Sequence, residues 1–447
     1  MSLKFLGGRA GSLPHARRKV SLPQLAAATY LMVSGGPYGI EELVQTCGYP
    51  LALGLLLAIP LVWSLPVGLM VGELSAAIPA EGGFYVWVRR AMGPFWGYQE
   101  AWLSLMASVF DMAVYPTVFI LSLGRLWPAA TQGSNGFLIG VVFVLVCVAW
   151  NLLGARAVGE GSEVLGILLL APFAVLTGMA LFRHAGFGTA GAAVPPAHPD
   201  WTAGILVAMW NYMGWDNAST IAGEVENPQR TYPRVMLLAL AGVFASYVIP
   251  IAAVWKIGIP ATSWATGSWV NFAAQAAGEW LGLATLLGAM ISTLGSFNSL
   301  TLSLSRLPMV VAQDGYAPRF LARTLPNGVP WAATVACGVA WIAALQLNFD
   351  RLLMLDILLY GAALILEFIA LALLRTREPK LHRPFVVPGG RQAAILLGVG
   401  PTALLAAAAI KSYDERIGSV SALTVGFGIM AAGVLFYWMA KWGRQRG

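Results

Sequence analysis

Apolar residues in this chain run in stretches of roughly 20, separated by short polar turns. At a rise of about 1.5 Å per residue, such a stretch crosses a bilayer core of about 30 Å. Neither the strict alternation of a half-buried strand nor a repeating βαβ pattern occurs. Twelve spans can be marked, near 22–46, 51–77, 95–124, 136–154, 162–182, 203–223, 234–257, 280–312, 331–348, 352–374, 393–411 and 420–440. The pattern predicts an all-α membrane protein. Residues 1–21 form a tail and 22–390 a ten-helix core, divided as 22–183 and 202–375. Residues 391–447 hold spans 11 and 12 and a short C-terminus.

Composition agrees. The 447 residues are 58% hydrophobic and 11% charged, against about 45–50% and 25% in soluble domains. The net charge of +7 does not call for nucleic acid, because Lys and Arg collect on cytoplasmic loops of membrane proteins. With both termini cytoplasmic, 21 of the 27 Lys and Arg fall on the inner side and only Arg125, Arg183, Lys256, Arg351, Lys411 and Arg416 on the outer. That asymmetry predicts a multi-pass protein of the cell membrane. The basic N-terminal segment carries no small-residue cleavage pattern. Cys47, Cys147 and Cys337 lack metal-ligand spacing, and no disulfide is expected.

Two spans are interrupted. The first contains Ser34-Gly35-Gly36-Pro37-Tyr38-Gly39, and the sixth contains Asn211-Tyr212-Met213-Gly214-Trp215-Asp216-Asn217. Glycine and proline at this density oppose a continuous helix, and broken backbone at membrane depth persists only where it is buried or lines a cavity. The breaks lie five spans apart, so the two helices run in opposite directions, as an inverted 5+5 repeat requires. That arrangement points to a transport site at the midplane. The second half of span 1, starting near Gly36, would offer the N–H groups of Gly35, Gly36, Tyr38 and Gly39 to a carboxylate. Free carbonyls near Trp210 to Met213 would favour an ammonium group.

Acidic residues add a second theme. Asp111 lies within span 3, Asp216 beside the second break, and Glu41 just after the first. A carboxylate at mid-bilayer costs about 2.5–3.5 kcal/mol on insertion scales, so it calls for a partner or a function. Multiply charged amines would use several inward acids together with aromatic faces, and Asp111, Tyr115, Trp210, Trp215 and Asp216 fit that description. Asp111 and Tyr115, four apart, share a helix face. Glu41, Glu73, Glu163, Glu367 and Asp111 are candidate proton carriers. Glu224, Glu226, Arg230 and Arg306 are candidates for a cytoplasmic gate, and residues 80–93 read as an amphipathic element on the inner surface. No nucleotide-binding motif occurs. His15, His184, His198 and His382 all fall in loops, so an enzyme, a metal site and a cofactor are not expected.

Six stretches carry a resemblance: VSGGPYGIEELV after the first helical turn-set, residues 63–100, FDMAVYP at 110–116, and residues 211–234, 296–315 and 366–390. Together they resemble the amino acid–polyamine–organocation superfamily, nearest to polyamine uptake and L-type amino acid transporters. The resemblance implies twelve helices in the LeuT-type inverted-repeat fold, with helices 1 and 6 discontinuous. It places Trp210 at the aromatic gate position of span 6, and of the polar residues Ser292, Thr293, Ser296 and Asn298 in span 8 it makes the hydroxyls candidate sodium ligands. The expected function is secondary active transport of amino acids or polyamines by alternating access, coupled to protons. A neutral amino acid exchanger and a transport-inactive nutrient receptor are the alternatives. Heteromeric L-type transporters use a cysteine after span 3 to join a glycoprotein partner. The loop from Arg125 to Gly136 has none, so no disulfide-linked heavy chain is expected.

Overall fold

The structure, a computed structural model, describes residues 19–182, 199–256, 258–346, 352–412, 416–417 and 419–446. The helices among them are α1 (Leu22–Val33), α2 (Glu41–Ile59), α3 (Leu65–Ala77), α4 (Gly83–Met92), α5 (Pro94–Gly124), α6 (Asn135–Asn151), α7 (Ala155–Phe182) and α8 (Trp201–Asn211). They continue with α9 (Pro228–Lys256), α10 (Ser268–Ala277), α11 (Glu279–Leu304), α12 (Arg306–Gln313), α13 (Trp331–Ala344), α14 (Leu352–Arg377), α15 (Gly390–Ser412) and α16 (Ala422–Arg446). Among the described residues, eight helical stretches are long and apolar enough to cross a membrane, and α1, α6 and α13 are shorter apolar helices.

The centre of the bundle is α5 packed on α14 and α11, with α1 held among α7, α9 and α11. In α14, 72% of the most apolar window is buried, whereas α15 and α16 reach only 22%. The last two helices therefore present Leu396, Val399, Phe427 and Leu435 outward, a surface suited to lipid.

Local sequence explains the interruptions. Pro23 fits the first turn of α1, and the Gln24 side chain accepts the Ser21 N–H at 3.0 Å. The helix ends where Gly36 and Gly39 take positive φ. Helix α8 ends at Asn211, and Gly214, whose φ of +94° suits glycine, opens the segment that follows. A Cβ there would also lie 2.7 Å from the Met32 carbonyl oxygen. The two breaks therefore touch, and Gly214 is the residue small enough to let them.

Several expectations change. The helix after the first break begins at Glu41, not near Gly36, because Pro37 and the two left-handed glycines delay it. It then runs into the next span through Gly48 (φ 71°, ψ 165°), where the chain turns without a polar loop. The second half of span 6 is a pair of 3-10 segments, Trp215–Thr220 and Ala222–Glu224. Its small polar side chains bond locally instead of leaving the backbone to an α-helix: the Thr220 hydroxyl and the Ser303 hydroxyl both donate to the Asn217 region, at 3.0 and 2.7 Å to its carbonyl. Helix α4 has the two faces expected of residues 80–93, with Arg90 exposed and its apolar face turned to protein. Phe84, Tyr85, Trp87 and Val88 are buried, and the helix is wedged against α5 and α14. One small departure from all-helical structure is a two-residue antiparallel ladder, Arg416–Ile417 with Val420–Ser421.

Candidate functional site

Where the two breaks meet α5, α11 and α14, a cavity of about 130 Å³ opens. A single water needs only about 10–15 Å³ on this measure, so the space suits a small organic molecule. Its wall includes Ser34, Gly35, Tyr38, Gly39, Asp111, Tyr115, Trp210, Asn211 and Gly214, all expected from the sequence. Asp356 and Tyr360 of α14 join them. Among the described residues, no Lys, Arg or His lines this cavity.

Each carboxylate is held by neutral donors. The Tyr115 hydroxyl lies 3.3 Å from both oxygens of Asp111. The Trp210 side chain donates to Asp356. Behind the wall the Tyr360 hydroxyl donates to Asp216, and the same hydroxyl accepts the Gly214 N–H at 3.1 Å. Acids on one wall with no basic group opposite them leave a field that favours a cation.

The backbone ends are less free than the sequence implies. The Gly36 N–H donates to the Ser34 hydroxyl oxygen at 3.0 Å, and the Gly39 N–H donates to Glu41 at 2.7 Å. Glu41 is buried and also accepts the Gly267 N–H at 3.3 Å. The chain's own carboxylate thus fills the anion-attracting start of α2. At the other break, the Asn211 carbonyl accepts the Tyr247 hydroxyl at 2.8 Å. The Tyr212 carbonyl accepts the indole N–H groups of Trp63 at 3.1 Å and Trp215 at 2.8 Å. The expected free carbonyls are therefore taken, because a buried backbone acceptor must be satisfied. Attraction for an ammonium group comes from side-chain carboxylates.

Other expected residues lie off the cavity wall. Gly36 packs against Leu169. Tyr212 sends its hydroxyl to the Leu56 carbonyl at 3.1 Å, and Trp215 is fully buried by its bond to Tyr212. Asp216 sits behind Tyr360. Glu73 is engaged by Arg375, by Arg383 at 3.6 Å and by the Val387 N–H at 2.8 Å. With its oxygens filled by charged and backbone donors it is a lock between helices, not a mobile proton carrier. Glu163 is half-buried on α7, away from the cavity. Glu367 is wholly buried on α14. Of the gate residues, Arg306 and Glu224 pair at 2.8 Å, while Glu226 and Arg230 are exposed. In α11, Ser292 donates to the Gly35 carbonyl at 2.6 Å and ties the first break to that helix. Thr293 and Ser296 line the cavity, and Asn298 instead pairs with Asn151 at 2.8 Å.

Asp356 and Tyr360 escaped the sequence reading. Asp356, Tyr360 and Glu367 fall at spacings of four and seven, one face of a helix, and that pattern was the available signal.

Residues 26–439 match the amino acid permease family. The polyamine transporter PUT1 of Oryza sativa subsp. japonica is 31% identical over 95% of this chain and 80% of its own length. A probable polyamine transporter of Arabidopsis thaliana is 31% identical over 92% of this chain and 83% of its own length. An uncharacterized transporter of Mycobacterium tuberculosis is 29% identical over 70% of each chain.

Proposed function

The chain belongs to the amino acid permease family, and on that premise we propose that this multi-pass membrane transporter carries polyamines by alternating access, driven by a proton gradient. The reading includes twelve spans in an inverted 5+5 arrangement, with both termini cytoplasmic. The names of the relatives support the substrate class.

One observation carries the choice of amine over amino acid. Among the described residues, the cavity wall holds Asp111 and Asp356 and no basic side chain, while N–H groups that would bind a substrate carboxylate are occupied by Ser34 and Glu41. An α-amino acid would bring its carboxylate next to carboxylates and find two of its natural donors already engaged. A diamine brings only positive charge. Tyr38, Tyr115, Trp210 and Tyr360 add aromatic faces, each worth about 0.5–2 kcal/mol to a cation. Ser34, Gly35, Gly39, Asn211 and Gly214 shape the remaining wall, and the Glu224–Arg306 pair closes the cytoplasmic side.

The test is uptake by the purified protein in liposomes, using labelled putrescine, spermidine, leucine and arginine, with and without an imposed pH gradient. Amine uptake that rises with an outward-alkaline to inward-alkaline reversal of the gradient, and that leucine does not compete, is the expected result. Uptake of leucine in preference to putrescine would overturn the substrate assignment.

A further inference from the structure

Below the cavity, away from the substrate wall, lies a second pair of acids. Glu100 on α5 and Glu367 on α14 are both fully buried. Glu100 stands eleven residues from Asp111, and Glu367 eleven from Asp356. Eleven residues are three helical turns, so each lower acid shares a face with its upper one, displaced by about 16 Å along the helix. The end of α14 meets the start of α5, where Arg377 donates to the Ala91 carbonyl and Glu378 pairs with Arg90, so these packed helices run antiparallel and both lower acids fall toward the same end of the bundle. Each feels the charge of Asp216, and Glu367 also feels Glu100.

Among the described residues this pair has no counter-ion, and its hydrogen bonds are incomplete. Neither oxygen of Glu367 has a hydrogen-bond partner, and one oxygen of Glu100 has none. The other oxygen of Glu100 accepts the Ser104 hydroxyl at 2.9 Å. The surrounding cations are committed elsewhere. On α4, Arg89 pairs with Asp314 and Arg90 with Glu378. On α12, Arg306 pairs with Glu224, and Arg375 and Arg383 hold Glu73. Arg377 donates to the Ala91 carbonyl, while Lys441 and Arg444 of α16 lie over the rings of Trp438 and Tyr316. The other titratable groups reaching the pair are Tyr85 on α4, Tyr360 on α14 and Asp216 on the 3-10 segment. None of these is positive. Two bare carboxylates cannot be kept ionised in such a place.

We propose that Glu100 and Glu367 are the proton site of the transport cycle, each carrying a proton in the arrangement described above. The role rests on the proton-driven reading above. When water reaches the pair from the cytoplasmic side, Glu367 releases its proton to that water and becomes a carboxylate. Its replacement comes from the cavity side: Asp216, once protonated, passes its proton to Glu367, and Tyr360, bonded to Asp216, lies between that acid and the cavity. One proton leaves and one enters, with no other change in charge. Glu100, neutral while it keeps its own proton, adds no repulsion to the ionised Glu367.

The experiment uses the full chain in liposomes with an internal pH-sensitive dye. Wild type, Glu100→Gln, Glu367→Gln and the double variant are compared in gradient-driven accumulation of labelled putrescine and in counterflow exchange without a gradient. The double variant should lose about tenfold or more of the gradient-driven accumulation, with the accompanying proton flux, and about threefold or less of the counterflow, as expected when a coupling free energy is removed. A second readout does not depend on transport. At neutral pH the infrared band of protonated carboxyl groups, which shifts in heavy water, should weaken in each Gln variant. Accumulation and proton flux that persist in the double variant would overturn the proposal, as would an infrared band unchanged by both substitutions. Liposomes that neither accumulate nor exchange putrescine would sink the substrate reading alone, and the infrared band would then decide the protonation of the pair.

Discussion

Carboxylates at the end of the bundle beside α4 and those around the breaks are provided for in opposite ways. At that end, Glu73 meets Arg375 and Arg383, Glu224 meets Arg306, and Asp314 meets Arg89 together with the Tyr85 hydroxyl. Around the cavity, Asp111 and Asp356 meet a hydroxyl and an indole. An acid with its arginine is electrically complete and fastens one helix to another. An acid facing a cavity with only neutral donors keeps an unmet attraction for positive charge. On the proposed function the same residue type is thus a fastener in one place and a receptor in the other, with the presence of an arginine deciding which.

The largest expected effect removes a fastener. Arg375→Ala would leave Glu73 buried with only the more distant Arg383, and should lower stability by about 3–5 kcal/mol, read as a drop in Tm of the detergent-solubilised protein. Adding Glu73→Gln should restore part of the loss. A wild-type Tm for the single variant would erase the distinction between the two regions.

Next comes a receptor acid. Asp356→Asn should reduce putrescine uptake at limiting concentration by about 30-fold, roughly 2 kcal/mol for one partner of a buried charged contact. Its Tm should stay close to wild type, since no arginine is orphaned. A large fall in Tm with normal uptake in the surviving protein would reclassify Asp356 as a fastener.

The smallest effect belongs to the exposed pair of Arg90 and Glu378, joined at 2.9 Å through Nε and 2.5 Å through Nη2. Arg90 holds the Glu378 carboxyl below its usual range. A carboxylate depressed in the folded state stabilises the protein above its unfolded value and loses that contribution as pH falls through the folded one. Arg90→Ala should therefore cost less than about 1 kcal/mol at neutral pH, and the difference from wild type should vanish in acid, below about pH 4. A difference that grew in acid would reverse the sign of this contact.

Much of the candidate site was legible in the chain. Glycine and proline density located both breaks, and apolar length located the helices. Asp111 and Tyr115 could be placed on one face by their spacing alone. Asp356 and Tyr360 were missed because a lone Asp near the start of an apolar span reads as its boundary. Only the packing of α14 on α5 turns that position inward. Glu73 was misread as a proton carrier because its arginines lie about 300 residues away. Trp215 and Tyr212 were read as lining residues, but they turn away to satisfy carbonyls that the break itself leaves open.

What the sequence determined alone was local: where helix can form, where glycine and proline forbid it, and which stretches prefer oil to water. Those depend on a residue and its near neighbours. The tertiary structure decided the rest, namely which acid finds an arginine, which backbone donor Glu41 consumes, and which carboxylates are left facing empty space. Charge interactions and hydrogen bonds act between atoms a few ångströms apart, whatever their separation along the chain, so only the folded arrangement could assign them.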